Sequence, residues 1–143
     1  MTIPFDYTRA SIEFEKLMVD ARDCAGLSTT NMAWNMVVGV LWTFRRRLTV
    51  MQAWRFAELL PVVPRAIFVE GWAAELEARS EPLPFDSREA LTQEVRSVRH
   101  EHNFSPPDSI QAVAQALRRH VDVAAFDRLL GELPAAARDY WQA

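Results

Sequence analysis

Apolar residues recur along this chain at three- and four-residue spacing, and no stretch settles into the alternation of a strand. Ala10, Phe14, Leu17, Met18, Ala21 and Cys24 form one such face, which predicts an amphipathic helix over residues 8–25. Gly26 follows, where a helix end favours a left-handed residue. Ser28, Thr29 and Thr30 offer N-caps for a second helix. Its apolar line, Val37, Val40, Leu41, Phe44 and Leu48, carries it to residue 48 with no proline to stop it. Thr49-Val50-Met51-Gln52 then has the form of a capping box. The helix it opens holds Ala53, Phe56, Ala57 and Leu60 on one face and stops before Pro61. Pro64 suits the first turn of a fourth, short helix reaching Trp72.

Polar residues and prolines over 74–85 read as a linker. Asp86-Ser87-Arg88-Glu89, a second capping-box form, opens a fifth helix carrying Leu91, Val95 and Val98. Residues 100–107 read as a loop. Asp108 or Ser109 caps the sixth helix and Asp122 the seventh, Pro134 ends the seventh, and a short eighth helix finishes at Trp141.

The pattern is written twice. Residues 37–68 align with 110–141 over 32 positions without a gap, and eight pairs are identical, among them Arg45/Arg118, Arg46/Arg119, Leu60/Leu133, Pro61/Pro134 and Arg65/Arg138. Unrelated segments of ordinary composition would share about two. The expected architecture is therefore all-α: eight helices as two tandem four-helix repeats, residues 1–73 and 86–143, joined by the 74–85 linker. A four-helix unit of this size has a marginal core alone, so the repeats are expected to pack as one compact, cooperative, bundle-like body.

The motifs resemble those of a bacterial family of uncharacterised proteins, the domain-of-unknown-function family 2267. The residues that carry the resemblance are Cys24-Ala25-Gly26-Leu27, Val40-Leu41, Arg47-Leu48, Ala53, Phe56-Ala57, Leu60-Pro61, Arg65 and Gly71-Trp72. Val113, Leu117, Val121, Leu133-Pro134, Arg138 and Trp141 continue it in the second half. The chain departs from a Leu-Pro-x-x-Leu-Arg form, since Val63-Pro64 and Ala136-Ala137 precede the two arginines. The resemblance implies an all-helical fold with an internal duplication. It carries no catalytic residue and no activity to transfer.

Composition narrows the classes. The chain has 143 residues, half of them hydrophobic, enough for a core and unlike a disordered segment. The net charge of −3 gives no basic excess for nucleic acid. Cys24 is the single cysteine, so no internal disulfide and no Cys-x-x-Cys metal site is available. The first residues lack the basic and apolar regions of a signal peptide. The longest apolar run, over residues 33–44, falls short of the about 20 residues that a membrane span needs. These points lead to the expectation of a cytoplasmic protein that does not enter membranes.

No constellation for catalysis stands out: glycines are scattered, and no serine or cysteine sits in an activating context. No cofactor is called for. His100-Glu101-His102 is a histidine pair without further ligands nearby, read as a polar loop rather than a metal site. Arg45, Arg46 and Arg47 are candidate anion contacts, against the simpler role of cations at a helix C-terminus. Arg65 and Arg138, at matching places after the Leu-Pro turns, are candidates too, against donation to the carbonyls of the preceding helix end. The halves differ most where Val38, Trp42, Trp54 and Leu59 meet Gln111, Gln115, Asp127 and Glu132. Trp34, Val38 and Trp42 also lie at i, i+4, i+8. Together these residues form a second apolar face, which the other half, the first helix, a second copy or a partner protein would cover. Two functions follow as expectations. The first is a non-enzymatic helical interaction or regulatory module, self-associating through that face. The second is a binder of small anions in a cleft between the repeats.

Overall fold

The computed structural model describes residues 3–98 and 103–143, and within them all regular structure is helical. Ten segments follow one another: α1 (Phe5–Thr8), α2 (Ala10–Ala25), α3 (Thr30–Arg45), α4 (Val50–Glu58), α5 (Val62–Val69), α6 (Trp72–Ala78), α7 (Arg88–Ser97), α8 (Ser109–Arg118), α9 (Val123–Gly131) and α10 (Ala135–Tyr140).

Two additions take the count beyond the eight expected from the pattern. The first is α1, a single turn that Arg9 separates from α2. The second is α6, which lies mostly inside the span read as linker. Gly71, at φ 69°, stops α5 and turns the chain, a conformation that costs glycine little. The Trp72-Ala73-Ala74-Glu75-Leu76-Glu77-Ala78 run that follows is made of good helix formers. Its polar residues looked like a linker because most of the helix is exposed, and only Trp72 is buried.

The starts and stops otherwise follow local chemistry. Gly26 sits at φ 69° after α2, and the Leu27 amide reaches back to the Arg22 carbonyl at 2.9 Å. The Thr29 hydroxyl accepts from the Met32 amide at 3.2 Å. Thr49 and Gln52 close a reciprocal box, with the Gln52 amide donating to the Thr49 hydroxyl at 3.2 Å and the Thr49 amide to Gln52 Oε1 at 2.9 Å. The cap of α7 is Ser87, one residue later than the Asp86–Glu89 pairing suggested. Its hydroxyl accepts from the Ala90 amide, while the Asp86 carboxylate takes the Ser87 amide. Asp122 caps α9 through the Ala125 amide at 3.1 Å. Asp108 precedes α8 without a side-chain cap bond. Pro61 and Pro134 occupy the same backbone region, φ/ψ −56/163° and −54/152°, each at the start of a helix.

Helix α3 is the axis of the core. Ala33, Met36, Val37, Val38, Val40, Leu41 and Phe44 are all buried, so this helix is apolar on nearly every side. It packs against α2, α5, α7 and α8. The approach of α7 is closest at Gly39, where an added Cβ would lie 2.5 Å from the Val95 carbonyl oxygen. The same carbonyl accepts from Asn103 Nδ2 at 2.8 Å, as does that of Val98. Asn103 thereby satisfies the C-terminal end of α7 from within the core. His100, Glu101 and His102 lie outside the described residues.

The chain end closes the centre. Tyr140 and Trp141 are fully buried among Phe44, Phe56 and Phe126, with ring centroids 5.1–5.8 Å apart. Phe68 meets Phe56 at a tilt, with ring centroids 5.2 Å apart. The Tyr140 hydroxyl donates to the Val40 carbonyl at 2.7 Å, and burial raises its pKa above the ordinary tyrosine value. Residues from both ends of the sequence therefore share one aromatic core.

Candidate functional site

Three regions hold the residues singled out by the sequence. The first is the end of α3, where unsatisfied carbonyls favour cations. The three guanidiniums fan out toward two carboxylates. Arg45 Nη2 lies 3.0 Å from Glu75 Oε1, and Arg45 Nη1 donates to the Phe68 and Glu70 carbonyls. Arg46 spans both acids, at 2.9 Å from Glu75 and 3.2 Å from Glu94. Arg47 grips Glu94 with both terminal nitrogens and donates to the Thr43 carbonyl at 2.9 Å.

Charges with Arg45 2% and Arg47 9% exposed would be costly unless paired, and here each guanidinium already holds a carboxylate. Burial pushes Glu75 and Glu94 toward protonation. The hydrogen bonds and charges of Arg45, Arg46 and Arg47 outweigh it, so both carboxyls sit below their ordinary pKa. Arg46 is held above its own value by the same partners, against the opposing effect of its burial. The triad is a clamp that ties α3 to α6 and α7, and it offers no open fork to an anion. Neither glutamate was singled out by the sequence, because both look like ordinary solvated residues of polar helix faces.

The second region is the extra apolar face, most of which packs within the chain. Val38 is buried. Trp34 stands edge-on to Phe14 of α2 at 5.7 Å. The Trp42 indole N–H donates to the Ile67 carbonyl of α5 at 2.8 Å, and the Arg45 guanidinium lies over its ring. Helices α2 and α5 of the same chain therefore cover this line from its two sides. Leu59 is half-buried, and Trp54 alone of the five residues is mostly exposed, at 55%.

The third region is a cleft of about 530 Å³. One wall is α1 with the start of α2, from Phe5 to Leu17. The others are the corner between α4 and α5 and the corner between α8 and α9. The cleft lies between the N-terminal segment and both halves of the sequence pattern, and its size is within the range of small-molecule sites. Arg65 reaches it, and so does Arg9, which sequence reasoning missed. Each has its Nε atom shielded from solvent with no acceptor. A buried donor left without a partner costs about 1–3 kcal/mol, so such atoms are uncommon. Arg65 otherwise makes one bond, Nη2 to the Leu60 carbonyl at 3.2 Å, the structural role expected for it. Arg138 does not repeat that bond; it is exposed, with no side-chain partner among the described residues.

Charged neighbours complete the cleft. Arg9 lies 3.5 Å from Glu13. His120 Nε2 is 2.6 Å from Asp20 Oδ2, and Arg119 is 3.5 Å from the other oxygen of that carboxylate. These contacts pin α2 to the α8–α9 corner. No spacing in the sequence links residues 9, 20, 65 and 120, since only the packing of α2 across both corners brings them together. Val62 and Val63 begin α5 behind Pro61, with no side-chain cap accepting from their amides. Among the described residues, no group of three or more His, Cys, Asp or Glu is placed to hold a metal ion, and no helix is long and apolar enough to cross a membrane.

Comparison with known proteins agrees with the motif pattern. None of the curated proteins compared with the chain matches it. A family described as "Uncharacterized conserved protein (DUF2267)" matches residues 14–140, a span that takes in every helix from most of α2 to the end of α10. The chain belongs to this family.

Proposed function

We propose that this protein is a non-enzymatic binding module that takes a small organic anion into the cleft between α1–α2 and the two helix corners. The observation that carries the reading is the meeting of Arg9 and Arg65 in the lining of one cleft of ligand-binding size, with Arg65 answered among the described residues by a single carbonyl. A bound carboxylate or phosphate would answer the Arg65 guanidinium through its terminal nitrogens, since the Nε atoms themselves are closed to anything the size of water. The cleft suits the idea of two tandem four-helix repeats, because the α4–α5 corner belongs to the first and the α8–α9 corner to the second. A ligand there would hold α2 and the two corners together, which fits a regulatory or storage role better than catalysis.

The test is a thermal-shift screen of the full chain against small carboxylates and inorganic phosphate. A ligand at 100 times its dissociation constant stabilises by about 2.7 kcal/mol, which raises the Tm of a chain this size by roughly 5–10 °C. The shift should vanish in Arg65→Ala and Arg9→Ala and persist in Arg138→Ala. A shift that all three variants retain would refute the site.

A second reading keeps the interaction module in a narrower form. Val50, Met51 and Trp54 on α4 and Val123 on α9 are exposed, and α4 packs against α9. Self-association there predicts that Trp54→Glu lowers the mass seen by light scattering while Trp42→Glu unfolds the chain. A monomeric wild type at high concentration would exclude it.

A further inference from the structure

The charges and apolar residues around the cleft narrow its ligand, on the footing of the anion-binding reading above: we propose that the ligand is an amphipathic monocarboxylate with a compact apolar tail, its head at Arg65. Arg9, Arg65, Arg119 and His120 share the lining with Asp6, Glu13, Glu58 and Asp122. Most of these cations are already answered. Arg9 has Glu13, and Arg119 and His120 share Asp20. Among the described residues Arg65 has only a carbonyl. One cation without a counter-charge accommodates one negative charge. A polyanion such as a nucleotide would bring its further charges against four carboxylates, and like charges at such range are repulsive.

The amides of Val62 and Val63 open the helix that carries Arg65, so a carboxylate beside Arg65 also lies at the positive end of α5. Phe14, Leu17, Leu59 and Leu60 also line the cleft, and Leu17 and Leu60 belong to the buried core. Phe5 and Tyr7, on the single turn of α1, are part of the same lining while 68% and 55% exposed. Large aromatic rings left in solvent at the rim of a cleft gain burial when an apolar tail enters.

Isothermal titration of the full chain separates the parts of the proposal. The probes are 3-phenylpropionate, its amide 3-phenylpropionamide, propionate and ADP. 3-Phenylpropionate should bind, with the amide and propionate each weaker by at least about tenfold and ADP silent. Arg65→Ala should weaken 3-phenylpropionate by about tenfold or more, the loss of a charge-assisted hydrogen bond, and Arg65→Lys, which keeps the charge and the fold of the corner, should weaken it less. Propionate binding as tightly as 3-phenylpropionate, or ADP binding more tightly, would overturn the monocarboxylate and its tail while leaving the anion site standing. Equal binding of acid and amide, or no binding by any probe, would overturn both.

Discussion

Gly39→Ala puts the packing of α3 on α7 to a test in which two physical effects have opposite signs. Gly39 lies in the middle of a sixteen-residue helix, where alanine is favoured over glycine by about 1 kcal/mol. Propensity alone therefore predicts stabilisation. The structure predicts the reverse. The new Cβ would meet the Val95 carbonyl oxygen at 2.5 Å, Val95 Cγ1 at 2.9 Å and the carbonyl carbon at 3.2 Å. A side-chain tip could rotate away, but the carbonyl belongs to α7 and is also held by Asn103. Relief requires the two helices to separate, which loosens contacts of Val37, Val40 and Val95 around them. Overpacking costs about 1–3 kcal/mol after relaxation, and a clash with backbone that cannot rotate away falls in the upper part of that range, about 2–3 kcal/mol. That exceeds the propensity gain, so a net loss near 1–2 kcal/mol is expected, or roughly 3–8 °C in Tm for a chain of this size. Urea melts followed by far-UV circular dichroism measure it directly. Val95→Ala should not rescue the variant, because the nearest atom is backbone. A Gly39→Ala protein as stable as the wild type, or more so, would refute the close crossing.

Further outcomes follow from the same contacts. Because Glu75 and Glu94 titrate lower in the folded chain than when unfolded, their contribution to stability is complete above the ordinary carboxyl pKa of 4.5. It is lost as pH falls below that value, and Glu94→Gln should flatten this acid limb in melts between pH 3 and 6, roughly the carboxyl range. Trp141→Ala removes the indole at the centre of the aromatic core and should cost about 3–5 kcal/mol, readable as a lower urea midpoint. Thr49→Ala opens the capping box at α4 and should cost about 1 kcal/mol in the same assay.

Much of the fold was legible because it is written in short-range chemistry. Helical spacing of apolar residues, Thr49 with Gln52, Gly26 and the two Leu-Pro corners each act within a few residues, and each appears where the sequence placed it. Helix α6 was not legible, since an exposed helix and a polar linker share a composition. The site was harder. Arg45, Arg46 and Arg47 attract attention as a cluster, yet their meaning depends on Glu75 and Glu94, which approach only after the chain folds back. Trp34 and Trp42 stood out as a second apolar face that something must cover, and the periodicity of α3 shows which side of the helix they occupy but not which of the possible covers, here α2 and α5, lies against it. Arg9 carried no signal at all: its place emerges only when the chain folds and sets it in the same cleft lining as residue 65.

The arginine Nε–H groups allow that central claim to be observed directly. A two-dimensional ¹H–¹⁵N spectrum tuned to guanidinium Nε–H signals, assigned through Arg9→Lys and Arg65→Lys, should show both protons protected from exchange with water in the free protein. Addition of 3-phenylpropionate should move these two signals together, saturably, while that of Arg138 stays in place. Signals of Arg9 and Arg65 that exchange freely and remain unmoved at saturating carboxylate would contradict the account.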